Sequence, residues 1–233
     1  MKAILTLILA IAFAVSPFLS DPFSGFRADQ LPIPQVDPPI QPAGYAFAIW
    51  GLLYLWLVAS AIYGVVKRRD DAGWDRARPA LIVSLAVGAT WIPVAVTSAI
   101  GALVLIWVML IAALVALYRA PSYDRLWFQT PVALYAGWLT AASWVSVASV
   151  GAGYGILTNQ FIWALVAIVA ALTMALIVMT TIRRAPEYAL TIVWALVGIV
   201  VANQTDEFIV SLLAGAGALT LAVKALQNMR DTA

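Results

Sequence analysis

The chain has 233 residues, of which 64% are hydrophobic and 10% charged, with a mean hydropathy of +0.97. A soluble domain carries roughly 25% charged residues, so this composition cannot cover a water-facing surface and describes an integral membrane protein. Cysteine and histidine are absent, which excludes disulfides, thiolate nucleophiles, imidazole bases and the usual zinc, copper and haem ligands.

Eight apolar segments follow one another, at about 3–20, 43–66, 80–98, 100–118, 129–150, 160–182, 188–203 and 207–226. The first, "MKAILTLILAIAFAVSPFLS", has the Lys, apolar core and small residues that also describe a secretory signal peptide. It is read here as a retained first helix. The outer loop that follows runs from Asp21 to Pro42 and holds Pro22, Pro32, Pro34, Pro38, Pro39 and Pro42. Proline at this density forbids regular helix and favours stiff, extended backbone. Such a loop is either a lid across the mouth of a bundle or a simple spacer.

The second segment opens with "PAGYAFAIWGLLYLW" at 42–56. Taken as a helix from about Tyr45, it places Phe47, Trp50 and Tyr54 within about 60° of one another, with Tyr45 and Trp56 towards the opposite side. Tyr45 suits an interfacial belt. Trp50 and Tyr54 lie deeper, where their polar groups require a partner from another helix or a ligand. The third and fourth segments nearly touch at 98–101, which demands a tight hairpin or one broken element. Trp91 precedes Pro93, a residue that kinks helices and can open a gap.

In the fifth segment, "WLTAASWVS" at 138–146 puts Trp138, Ala142 and Val145 on one face, with Tyr135 one turn earlier. Large rings beside small residues either pack a core or line a slot for a flat ligand. The seventh segment is short for a span, since roughly 17 residues is the lower limit. On the eighth, Ser211, Ala214, Gly215, Ala218 and Ala222 recur at three- and four-residue spacing. Small residues so placed let helices approach closely, either within the chain's own bundle or at a second membrane protein.

Charge placement sets the topology. With the N-terminus cytoplasmic, Lys2, Lys67, Arg68, Arg69, Arg76, Arg78, Arg119, Arg125, Arg183, Arg184, Lys224 and Arg230 all fall on the cytoplasmic side, and Arg27 alone falls outside. This predicts an all-α, polytopic bundle of about eight transmembrane helices with both termini cytoplasmic. The basic residues are thus a topology signal and not a nucleic-acid footprint. No acidic residue lies mid-span; Asp206 and Glu207 sit at an outer helix edge and Glu187 in a cytoplasmic loop. Pumps, proton-coupled transporters and charged-filter channels place ionisable groups at membrane depth, so these classes are disfavoured.

The aromatic stretches carry a family resemblance. "IWGLLY" at 49–54 after Pro42 and Phe47, "GATWIP" at 88–93 and "WLTAASWVS" at 138–146 together resemble the second, third and fifth helices of the TspO/MBR family, the tryptophan-rich sensory proteins related to the translocator protein. The resemblance covers roughly residues 1–155. It implies a five-helix bundle over 1–155, a three-helix extension over 156–233, and a pocket beneath the first loop lined by the second, third and fifth helices. Family ligands are flat and lipophilic: porphyrins and other tetrapyrroles, and sterols. The pocket residues implied are Phe47, Trp50, Tyr54, Trp91, Trp138, Ala142 and Ser146.

Gly88 and Ser146 stand where the family often has Asn, and Tyr154 has no Lys or Arg within the next five residues to complete a cholesterol pattern. The function implied is a binding protein, sensor or carrier, for a tetrapyrrole or lipid, with no catalytic step and no obligatory cofactor, in a bacterial cytoplasmic membrane. Its partners would be the bilayer, a lipophilic small molecule, and a second copy or a larger membrane complex. The alternative is an accessory subunit or assembly factor that contacts a larger complex through lipid-embedded helix faces, in which case bulky changes at Gly215 would disrupt assembly.

Overall fold

The computed structural model describes residues 1–21, 23–204 and 207–231, with the side chains of Ala28 and Asp231 also left aside. Pro22 and Asp206 lie outside the described residues. The described chain forms α1 (Lys2–Val15), α2 (Ile49–Lys67), α3 (Ala72–Ala95), α4 (Ala99–Tyr118), α5 (Gln129–Gly153), α6 (Gln160–Thr181), α7 (Glu187–Ala202) and α8 (Phe208–Asp231). Seven apolar stretches are long enough to cross a membrane, and α7 is the shorter eighth. This is the polytopic helical bundle that hydropathy and charge predict.

The helices are arranged around α5. Residues 128–141 are buried without interruption, and α5 packs against α2, α4, α6 and α7. A helix apolar on every side must be enclosed, and its many Ala, Gly and Ser residues let four neighbours come close. Gly137 marks the tightest approach: a Cβ there would overlap the Tyr188 carbonyl of α7. Two polar links join the same pair, Thr140 with the Tyr188 hydroxyl at 2.7 Å and the Thr191 hydroxyl donating to the Leu134 carbonyl at 2.8 Å.

α7 runs beside α5 from one face of the bundle to the other. At its N-terminal start Glu187 accepts from Arg125 and Thr130. At its outer end the Asn203 amide donates to the Pro39 carbonyl at 2.8 Å, and the Gly198 carbonyl accepts from the Ala43 N–H at 3.0 Å. Sixteen residues rise only about 24 Å, so the proline-rich loop folds inward to meet the helix end.

Local features differ in detail from the sequence expectations. Residues Gly44–Ala48 form a 3₁₀ helix, and α2 begins at Ile49 rather than near Tyr45. Tyr45 packs edge-on against Trp194 of α7 at 5.4 Å, so it is a helix contact as well as an interfacial residue. Helix α3 continues through Pro93 to Ala95, placing that proline in the last turn. The junction to α4 is a tight hairpin in which the Ser98 hydroxyl caps α4 by accepting from the Gly101 N–H.

The Lys- and Arg-rich face is held by one buried and one half-buried arginine at helix C-termini. Arg78, 1% exposed, donates to the carbonyls of Gly64, Arg68 and Arg69 at the end of α2 and pairs with Asp75. Arg184 does the same for α4, donating to Leu117 and Tyr118 and to the Gln129 side chain. Terminal carbonyls lack helical partners and carry partial negative charge, so a guanidinium satisfies both needs.

The small-residue row of α8 faces the chain's own bundle. The Ser211 hydroxyl donates to the Val200 carbonyl of α7, and Ala214 and Ala218 are buried. A Cβ on Gly215 would find only Val200 Cγ2, at 3.9 Å, whereas one on Gly217 would come 2.7 Å from Leu172 of α6. Gly217, not Gly215, is the close contact.

Candidate functional site

A cavity of about 60 Å³ lies beneath the outer loop, between α2, α3 and α5. Phe47, Trp50, Trp91, Trp138, Ala142 and Ser146 all line it. Tyr54 lies instead on a second cavity of about 280 Å³, bordered by Phe13 of α1, by Pro17 just after it and by Asp21 at the loop. Four rings, those of Phe23, Phe47, Trp50 and Trp91, border both cavities and form the wall between them.

The aromatic geometry is continuous. Trp50 stacks on Tyr54 at 5.3 Å and meets Trp138 edge-on at 6.0 Å, while Phe47 meets Trp138 edge-on at 6.1 Å. Phe13 of α1 sits edge-on to Trp50 and Tyr54 and against Tyr135. Such pairs contribute about 0.5–1.5 kcal/mol each beyond area burial. Trp91 is anchored by its N–H, which donates to the Ala102 carbonyl of α4 at 2.9 Å.

Trp138 has no such anchor. Its indole N–H is buried and has no hydrogen-bond partner among the described residues. The Ser146 and Ser149 hydroxyls on the same wall make no side-chain hydrogen bond among the described residues either, although hydroxyls elsewhere in the bundle, such as Thr140 and Thr173, return to their own helix backbone. A buried donor without a partner costs about 1–3 kcal/mol. The cavity is therefore an aromatic slot with a few unengaged neutral polar groups.

The loop is the roof. Phe23, Gly25, Phe26, Gln41 and Pro42 all line the first cavity. The loop is tied to α3 by the Gln30 amide donating to the Ala95 carbonyl, and to α5 by the Ile33 N–H donating to the Gly153 carbonyl. Gln41 donates to the Ser24 carbonyl and lies against Gly25, whose φ of +128° is a conformation that side-chain-bearing residues rarely adopt. The family model described as TSPO-like protein matches residues 3–227. The chain belongs to this family. No curated protein and no solved structure matches it.

As a TSPO-like protein the chain is a membrane binding protein of that kind, and the family match continues through α6, α7 and most of α8. The helices beyond residue 155 share the main apolar core with the first five, and Ala195 of α7 lines the cavity. Sequence reasoning missed Phe23, Phe26, Gln41, Ile106, Ser149 and Ala195. Ser149 was within reach, being one helical turn beyond Ser146 on the same face. The loop residues and Ala195 carry no periodic signal.

Gly88, where the family often has Asn, is also accounted for. A Cβ there would come 2.8 Å from the Phe13 ring, so the space an amide would occupy is filled by an aromatic side chain from α1.

Proposed function

We propose that this TSPO-like protein binds a flat lipophilic ligand of the tetrapyrrole class between α2, α3 and α5, as a sensor or carrier in a bacterial cytoplasmic membrane, without a catalytic step. The observation that carries this reading is the aromatic cavity beneath the loop, lined by Phe47, Trp50, Trp91 and Trp138, the last of which also keeps a buried N–H without a partner among the described residues. In this reading residues 1–155 supply nearly all of the site, and 156–233 buttress it through α5 and the roof loop. Sites for drug-sized ligands occupy roughly 300–1,000 Å³, so ligand entry displaces the Phe23 ring and joins the two cavities.

The test is a titration of the purified protein with protoporphyrin IX, followed by tryptophan fluorescence quenching, in wild type, Trp138→Phe and Trp138→Ala. Saturable one-site quenching that weakens about tenfold in Trp138→Phe and further in Trp138→Ala supports the reading. Linear quenching, unchanged in both variants, means that the rings only pack. The small-residue row of α8 faces inward, so it favours no separate subunit-docking role.

A further inference from the structure

We infer that the site selects flat ligands that are uncharged or cationic and discriminates against those bearing carboxylates; this rests on the binding reading above. Among the described residues, neither cavity is lined by a lysine or arginine. The polar residues lining the first cavity carry no charge: Trp138, Ser146, Ser149 and Gln41. The one ionisable carboxyl is that of Asp21, on the second cavity beside Phe23.

The surrounding outer face repeats the pattern. By sequence it carries Asp21, Asp29, Asp37, Asp206 and Glu207 against a single base, Arg27. That base is engaged by Asp29, Nε to Oδ1 at 3.0 Å. The other twelve basic residues belong to the opposite face, a membrane thickness away. A carboxylate taken into an apolar slot needs a cation to offset its desolvation, and among the described residues none lines either cavity. A carboxylate left at the mouth meets Asp21 and a field of its own sign. A ketone, ester or amide oxygen, in contrast, can accept from a serine hydroxyl of the lining with no charge to neutralise.

Protoporphyrin IX and its dimethyl ester separate the two possibilities, since they share one macrocycle and differ in two carboxylates. Affinities of the full chain in zwitterionic nanodiscs are measured by tryptophan quenching, each corrected for that ligand's partition into empty discs. The ester is expected to bind at least about tenfold more tightly, the factor corresponding to ~1.4 kcal/mol. Asp21→Lys is expected to shrink the ester-to-acid ratio at least threefold, and Asp21→Asn to shrink it less. Equal affinities, tighter binding of the free acid, or a ratio unmoved in Asp21→Lys overturn the inference while leaving the pocket intact. Failure of both ligands to saturate overturns the binding reading itself, and this inference with it.

Discussion

The Phe13 ring of α1 lies against the bare backbone of Gly88 in α3, so closely that a Cβ at position 88 would come within 2.8 Å of it. This contact locks α1 into the bundle and sets Phe13 against Trp50, Tyr54 and Tyr135. Gly88→Asn, which restores the residue often found in the family, is expected to displace that ring. Overpacking of this kind costs about 1–3 kcal/mol. A lowered unfolding temperature in detergent, partly recovered in the double variant Gly88→Asn with Phe13→Ala, checks the relationship; an unchanged temperature in the single variant contradicts it.

Close approach of α5 and α7 depends on Gly137 in the same way. Its missing side chain leaves room for the Tyr188 carbonyl, which as backbone cannot move aside. Gly137→Val should abolish the monodisperse peak in size-exclusion chromatography. Gly215→Val, despite its place in the α8 row, should elute like wild type because its nearest neighbour is an ordinary van der Waals contact. Reversal of that order would show that α8, not α7, governs assembly.

Arg78 is buried and bonds to the carbonyls of Gly64 in α2 and of Arg68 and Arg69 just beyond it, as well as to Asp75. Arg78→Met leaves those acceptors without a donor, a loss of about 2–3 kcal/mol. Arg78→Lys should recover only part of it, since an ammonium cannot reproduce the planar fork that reaches several acceptors at once. Chemical denaturation of the three proteins in one detergent provides the comparison.

Acid sensitivity should centre on Asp124. Hydrogen bonding from Arg68 holds its carboxyl below the usual carboxylate range, with further donors from Trp74 and Tyr63 and only partial opposition from burial. A carboxyl whose folded pKa is depressed stabilises the fold above its unfolded value, and that contribution is lost as pH falls towards the folded value. Wild type should therefore lose thermal stability as pH drops below about 4. Asp124→Asn should be less stable at neutral pH and show a flatter decline over that acidic range. Parallel declines for the two proteins would assign the acid response to another group.

The sequence by itself determined that the protein is a helical membrane bundle and that eight apolar segments build it, and it sorted the Lys and Arg residues to one end of those segments. These properties are written one residue at a time, in runs of apolar side chains and in the side on which Lys and Arg fall. It also named most of the aromatic wall: helix period put Phe47, Trp50 and Tyr54 on one face and Trp138 with Ala142 on another, and the family resemblance marked these, with Trp91 and Ser146, as pocket residues. Only the tertiary structure decided that α5 is the enclosed centre, since a helix apolar all round offers no preferred face to read. Only it showed that Phe23 and Phe26 roof the cavity and that the row on α8 turns inward. An irregular proline-rich loop has no period, and its position is fixed by bonds to Ala95, Gly153, Gly198 and Asn203, far away in sequence. The unengaged N–H of Trp138 is likewise invisible in one dimension, because whether a donor has a partner depends on what the other helices bring beside it.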